Sequence, residues 1–193
     1  MFTLPAKVAD PSALKAELLK IIKNKSYREG DFTLASGRKS KFYLDLKETT
    51  LNQAGIALAG ALMADLIQRQ NLNPFAVGGL TMGADPLATA VCLAASMQGY
   101  ELQSFIVRKQ PKEHGTLAWI EGAKTFPSGA KLVVLEDVVT TGGSSIKAVE
   151  RLREAGFKVS EVITVVDRQE GGEEQLAAAG LKLFSLCSLK ELL

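Results

Sequence analysis

Short apolar runs alternate along this chain with longer stretches whose apolar residues recur at helical spacing. Phe75-Ala76-Val77-Gly78-Gly79, Leu132-Val133-Val134-Leu135 and residues 162–166 are compact apolar runs bounded by turn residues, the pattern of buried strands. Residues 105–108 form another, residues 119–121 a short one, and residues 181–186 a last strand closing the sheet. Between them, Asp10 stands as an N-cap with Pro11 at the first helical position, and Leu14, Leu18, Leu19 and Ile22 line one face of a helix reaching about Asn24. Residues 52–69 predict a second helix, rich in Ala, Leu and Ile, and residues 86–97 a third that ends at Gly99. A fourth runs to about Ala155, with Ser144 or Ser145 as its cap and Gly156 as its C-terminal stop; residues 172–179 give a short fifth. Residues 31–47 read as a hairpin region.

Strands alternating with helices predict an α/β fold, a mainly parallel sheet flanked by helices on both faces. A small N-terminal hood, about residues 1–50, belongs to the same single domain of residues 1–193. In such sheets ligands lie beyond the carboxyl ends of the strands. Residues 79–85, 108–114, 136–144 and the pair Asp167-Arg168 all fall at such ends.

Composition narrows the class without changing the fold. Apolar residues are 47% and charged ones 23%, ordinary globular usage, and the net charge of +2 is too small to argue for nucleic acid or an anionic membrane. There is no apolar run of membrane-spanning length and no signal-peptide pattern, so a cytoplasmic location is expected. Cys92 and Cys187 lack metal-type spacing and are expected to be reduced thiols.

The richest chemistry follows the run Leu132-Val133-Val134-Leu135. Glu136 and Asp137 are succeeded by Val138, Val139, Thr140, Thr141, Gly142, Gly143 and Ser144, after which a helix begins. Hydroxyls and backbone N–H groups beside a helix N-terminus make an anion cradle. The last glycine is not followed by Lys-Ser or Lys-Thr, which disfavours an NTPase loop, and no G-x-G-x-x-G opens the helix. Carboxylates repel a bare polyphosphate but accept hydrogen bonds from sugar hydroxyls or share them with Mg²⁺. A phosphate at one end and vicinal hydroxyls in the middle describe a ribose 5-phosphate. The plainer alternative is an exposed strand end followed by a capped turn.

This segment resembles the signature of the type I phosphoribosyltransferases, which bind 5-phosphoribosyl 1-pyrophosphate (PRPP). The resemblance implies that residues 140–144 hold the 5′-phosphate while Glu136 and Asp137 meet the ribose hydroxyls. A second segment, Arg108-Lys109-Gln110-Pro111-Lys112-Glu113-His114-Gly115, gathers three cations and the only histidine. It is similar to the catalytic loop of the orotate phosphoribosyltransferase branch. A basic loop that closes over a leaving pyrophosphate neutralises charge developing as the bond breaks; a solvated basic loop is the bland alternative. Phe32-Thr33-Leu34-Ala35-Ser36-Gly37-Arg38-Lys39-Ser40 with Phe42-Tyr43-Leu44-Asp45 resembles that branch's substrate-contacting hairpin, and Asp167-Arg168-Gln169-Glu170 its D-R-Q-E segment.

The resemblance implies transfer of the phosphoribosyl group from PRPP to orotate, giving orotidine 5′-phosphate and pyrophosphate in pyrimidine synthesis. It assigns Arg108, Lys109, Lys112 and His114 to the pyrophosphate, with Lys112 or His114 as proton donor and Asp137 beside the reacting sugar. Arg168 would pair with the orotate carboxylate, with Phe42 or Tyr43 lining the base and Thr140 nearby; an ion pair with Glu170 or Glu173 is the alternative for Arg168. Mg²⁺ is expected as cofactor, held by PRPP and water rather than directly by protein. A homodimer with shared active sites is implied, with neither nucleic acid nor membrane as partner. Two departures stand out: Ala35 and Met82 occupy positions where a well-known branch has lysines, which places more charge compensation on Arg108, Lys109, Lys112 and Mg²⁺. A purine phosphoribosyltransferase and a non-catalytic PRPP sensor are the rival readings. Of the remaining features, Trp119 reads as packing, the stripe from residue 56 to 66 as core or subunit contact, and Asp85 as a helix cap or a residue orienting a metal-bound water. His114 lacks partners at metal-ligand spacing.

Overall fold

A computed structural model describes residues 8, 10–33, 39–111 and 119–193. Helix α1 spans Pro11–Lys25, and Asp10 caps it as expected, its carboxylate accepting from the N–H groups of Ser12 and Ala13 at 3.0 and 3.1 Å. Strands β1, Tyr27–Thr33, and β2, Lys39–Leu44, pair antiparallel; the hairpin begins earlier in the chain than its polar composition suggested. A single turn, α2 at Lys47–Thr50, went unforeseen. It buries Thr49 and Thr50, and the Thr49 hydroxyl is 2.6 Å from that of Ser26. Helix α3, Gln53–Arg69, follows, capped by Asn52.

The rest of the chain builds one six-stranded sheet. In chain order come β3 (Ala76–Leu80), α4 (Ala84–Met97), β4 (Gln103–Val107), β5 (Ile120–Glu121), β6 (Lys131–Val139), α5 (Gly143–Glu154), β7 (Lys158–Asp167), α6 (Gly172–Ala178) and β8 (Lys182–Ser188). The spatial order is β5-β4-β3-β6-β7-β8, and every pairing is parallel except that of β4 with the short edge strand β5. Strand alternation divides the core in two. Val133, Leu135 and Ile163 pack with α1, α3 and α4, whereas Leu132, Val134 and Val162 pack with α5 and α6. The stripe from residue 56 to 66 lies largely within the first of these layers. Cys92 and Cys187 are free thiols.

Three local expectations are corrected. Strand β6 does not stop at Leu135: its ladder with β7 continues through Glu136↔Thr164 to Val139↔Asp167, so both carboxylates lie inside the strand. Neither Ser144 nor Ser145 caps α5. The cap is Gly142, at φ 80°, a left-handed turn that glycine adopts without steric cost, and both serines lie within the first helical turn. Likewise α4 begins at Ala84 from Gly83, so Asp85 is inside the helix and caps nothing; its Oδ2 accepts from the Thr81 hydroxyl at 2.7 Å.

Candidate active site

Because β6 stays extended through its acidic pair, Glu136 and Asp137 project to opposite faces of the sheet. Glu136 falls on the α5 side, buried, with the Ser145 hydroxyl donating to its Oε2 at 3.3 Å. Loss of water around it, reinforced by the neighbouring charge of Asp137, pushes its carboxyl up to about 8. Asp137 falls on the α4 side. Its Oδ1 accepts from the Val138 N–H at 2.8 Å, and a Cβ added to Gly83 would meet that same oxygen at 2.8 Å. The turn before α4 therefore comes up against the Asp137 carboxylate so closely that a side chain at Gly83 would have to displace it.

Beyond the strand, the chain wraps a cavity of about 280 Å³ lined by Glu136, Val138, Val139, Thr140, Thr141, Gly142, Gly143, Ser144, Ser145 and Lys147. The α5 N-terminus opens into it, so unpaired N–H groups and the helix dipole favour an anion there. Lys147, in the same first turns, adds a cation that the sequence reading left out. The cradle is braced from behind: a Cβ on Gly172 would meet the Thr140 carbonyl at 2.7 Å and Val139 Cγ1 at 2.5 Å.

A second cavity, about 380 Å³, is lined by Thr81, Asp85, Ile106, Arg108, Lys109, Gln110 and Glu121. Arg108 pairs with Glu121 at 2.8 Å. Lys112 and His114 lie outside the described residues, as does Ala35. Met82 is 66% exposed in the turn between the two cavities.

Arg168 leaves the carboxyl end of β7, its N–H bonded to the Val139 carbonyl at 2.9 Å. Its guanidinium pairs with Glu170 at 2.6 Å and sits 5.0 Å from the centroid of the Phe42 ring, while its buried Nε has no hydrogen-bond partner among the described residues. Phe42 and Tyr43 point to opposite faces of the hairpin. Phe42 stacks on Tyr27 and meets Arg168, whereas Tyr43 packs against Phe32 on the other side. Lys47 is a further cation missed from sequence. It is held above the usual lysine range chiefly by its hydrogen bond to Asp45, the charges of Asp45 and Asp137 adding to this. Among the described residues, no three His, Cys, Asp or Glu side chains gather as a metal cage would require, and no helix is long and apolar enough to cross a membrane.

The phosphoribosyl transferase domain model matches residues 46–180. The orotate phosphoribosyltransferase of Thermosynechococcus vestitus is 47% identical over 93% of this chain and 93% of its own. The crystal structure of Mycobacterium tuberculosis orotate phosphoribosyltransferase in complex with Fe(III) dicitrate superposes with a TM-score of 0.82 at 40% identity, covering 93% of this chain and 98% of that one. The same enzyme in complex with PRPP gives 0.77 at 37% identity, with the same coverage. With the acidic pair on β6, the cradle at α5 and matches of this extent, the chain belongs to the phosphoribosyltransferase family, in its orotate phosphoribosyltransferase branch.

Proposed function

We propose that this protein transfers the 5-phosphoribosyl group of PRPP to N1 of orotate, giving orotidine 5′-phosphate and pyrophosphate. The observation that carries the reading is the joining of a phosphate cradle and a buried carboxyl on one strand-turn-helix unit, with Arg168 at the end of the next strand facing the Phe42 ring of the hairpin. In the reaction the bond from ribose C1 to pyrophosphate oxygen breaks, the N1–C1 bond forms on the opposite face as N1 gives up its proton to solvent, and positive charge builds on the sugar in between. Thr140, Thr141, Gly142, Gly143 and Ser144 bind the 5′-phosphate, with Val138 and Val139 carrying the chain into that turn. Glu136 and Asp137 take the ribose hydroxyls, and the anionic Asp137 stabilises the cationic sugar. Arg108 and Lys109 grip the pyrophosphate from the second cavity, with Lys112 and His114 completing the set and one of them protonating the leaving group. Arg168 forms a bidentate pair with the orotate carboxylate, and its unpartnered Nε is a donor ready for it. Phe42, rather than Tyr43, covers the base from the hood.

Mg²⁺ is the cofactor. Asp137 and Asp85 offer hard oxygens of the kind it takes, and Asp85 Oδ1 is buried without a hydrogen-bond partner among the described residues. When bound with PRPP, Mg²⁺ would neutralise pyrophosphate charge, and Asp137 and Asp85 are the side chains that would hold it or its water. The working form is a homodimer in the cytoplasm. Leu93 and Met97, one turn apart on α4, are 62% and 45% exposed, an apolar face suited to a two-fold contact. Sedimentation equilibrium tests the dimer. A spectrophotometric assay with orotate, PRPP and Mg²⁺ tests the activity: orotate absorbance falls only when all three are present. Consumption of adenine or hypoxanthine with orotate untouched would overturn the reading in favour of a purine enzyme.

A further inference from the structure

Arg151, in the last turn of α5, does nothing in the scheme above, yet it holds two points of the chain that the scheme depends on. Its guanidinium carbon lies 3.8 Å from the centroid of the Trp119 ring, and its Nη1 donates to the carbonyl of Arg108. Arg108 and Trp119 are themselves joined, the Arg108 N–H donating to the Trp119 carbonyl at 2.8 Å. The chain leaves the sheet at Arg108 and returns at Trp119, so Arg151 closes the neck of the cationic segment from outside. A neutral side chain could fill the same gap but would lose both the donor to the Arg108 carbonyl and the charge over the Trp119 ring.

We propose that Arg151 is a positioning residue for pyrophosphate: by fixing the Arg108 carbonyl and the Trp119 ring, it sets the direction in which Arg108 and Lys109 face the second cavity. This rests on the functional reading above, since it takes pyrophosphate as the ligand of that cavity. Arg108 is the side chain through which the effect is exerted. Its Nε donates to the Gln110 carbonyl at 3.1 Å and its Nη1 to Glu121 at 2.8 Å, so a shift in its backbone reorganises both contacts. The 5′-phosphate cradle, at the other end of α5, has its own bracing from Gly172 and is expected to be indifferent to Arg151.

Two ligands separate positioning from general damage. Titration calorimetry measures inorganic pyrophosphate with Mg²⁺, and ribose 5-phosphate, on the full chain. Arg151→Met is expected to weaken pyrophosphate about five- to tenfold and to leave ribose 5-phosphate within about twofold. Turnover falls with the pyrophosphate affinity, and Arg151→Lys recovers part of both losses. Trp119 is the only tryptophan, so its emission reports the neck directly and shifts to the red in Arg151→Met. Equal weakening of the two ligands, or unchanged pyrophosphate affinity, overturns the role of Arg151. If Arg151→Met does not fold, Trp119→Leu, which removes the stacking and leaves the carbonyl contact, is expected to weaken pyrophosphate selectively but less; no selectivity there also overturns it. Absence of orotate turnover in the unaltered protein strikes the functional reading instead, and is seen in a separate assay.

Discussion

At the scale of single residues, the site depends on side chains held in tension between a resting partner and an incoming one. Arg168 is the plainest case. At 11% side-chain exposure it keeps Glu170 at 2.6 Å and yet leaves Nε unpaired among the described residues, so a substrate carboxylate gains a donor while Glu170 gives way. Arg168→Ala is expected to raise KM for orotate about ten- to a hundredfold, the span of one charged hydrogen-bonded pair, with KM for PRPP unchanged. Steady-state kinetics with each substrate varied checks this, and a rise confined to PRPP refutes the assignment. Gly83 is a second case. Its missing Cβ leaves room for Asp137 Oδ1 at 2.8 Å, and that short, half-buried side chain is already committed to the Val138 N–H. Gly83→Ala displaces the carboxylate and is expected to lower kcat more than tenfold with a loss of stability of about 1–3 kcal/mol; full kcat in a folded variant would show that Asp137 has no such role. Arg168 was legible in the sequence because a cation at the end of a buried apolar run has a defined place. Lys47 was not, because its nearness to Asp137 arises from α2, a single turn without a periodic signal.

At the scale of elements, function sits where strands hand over to helices, and the handovers were read less well than the elements themselves. Apolar periodicity placed α1, α3 and the parallel strands because burial selects the residues on both faces. It stopped β6 too early because acidic residues do not look like strand; here the ladder with β7 overrides that preference and carries Glu136 indoors. It misassigned the α5 cap because serines are good caps in general, whereas a left-handed glycine begins this helix and frees Ser145 for Glu136. Element packing also makes a prediction. Helix α6 begins at Gly172, hard against Val139 and the Thr140 carbonyl, so its docking sets the floor of the phosphate cradle. Gly172→Ala pushes that carbonyl and is expected to weaken ribose 5-phosphate about tenfold. Calorimetry decides, and undiminished affinity would mean that the cradle is formed by α5 alone.

For the molecule as a whole, the consequence is a stability that depends on pH through one buried acid. Domains of this kind are stable by only about 5–15 kcal/mol, so a single carboxyl removed from water is a sizeable fraction of the total. Glu136 is surrounded by the α5 face of the sheet, the Ser145 hydroxyl and the charge of Asp137, and its folded carboxyl titrates near 8 against an ordinary 4.5. Folding therefore favours the protonated form. The stabilisation is whole below about pH 4.5 and is lost as pH rises towards 8, because ionisation then costs more in the folded chain than in the unfolded one. The loss between pH 5 and 8.5 is on the order of 3 kcal/mol, several degrees of melting temperature for a chain of this size. Glu136→Gln keeps the shape and the hydrogen bond with Ser145 but cannot ionise. Its melting temperature is expected to match the unaltered protein near pH 5 and to exceed it increasingly towards pH 8.5, the difference between the two proteins isolating this group from all others that titrate. Saturating ribose 5-phosphate should narrow that difference if its hydroxyls hydrogen-bond to Glu136, because the sugar then replaces the water the carboxylate has lost. A difference that shrinks with rising pH in the free proteins would mean that Glu136 is ionised at rest, and the sugar hydroxyls would then meet two anions rather than one.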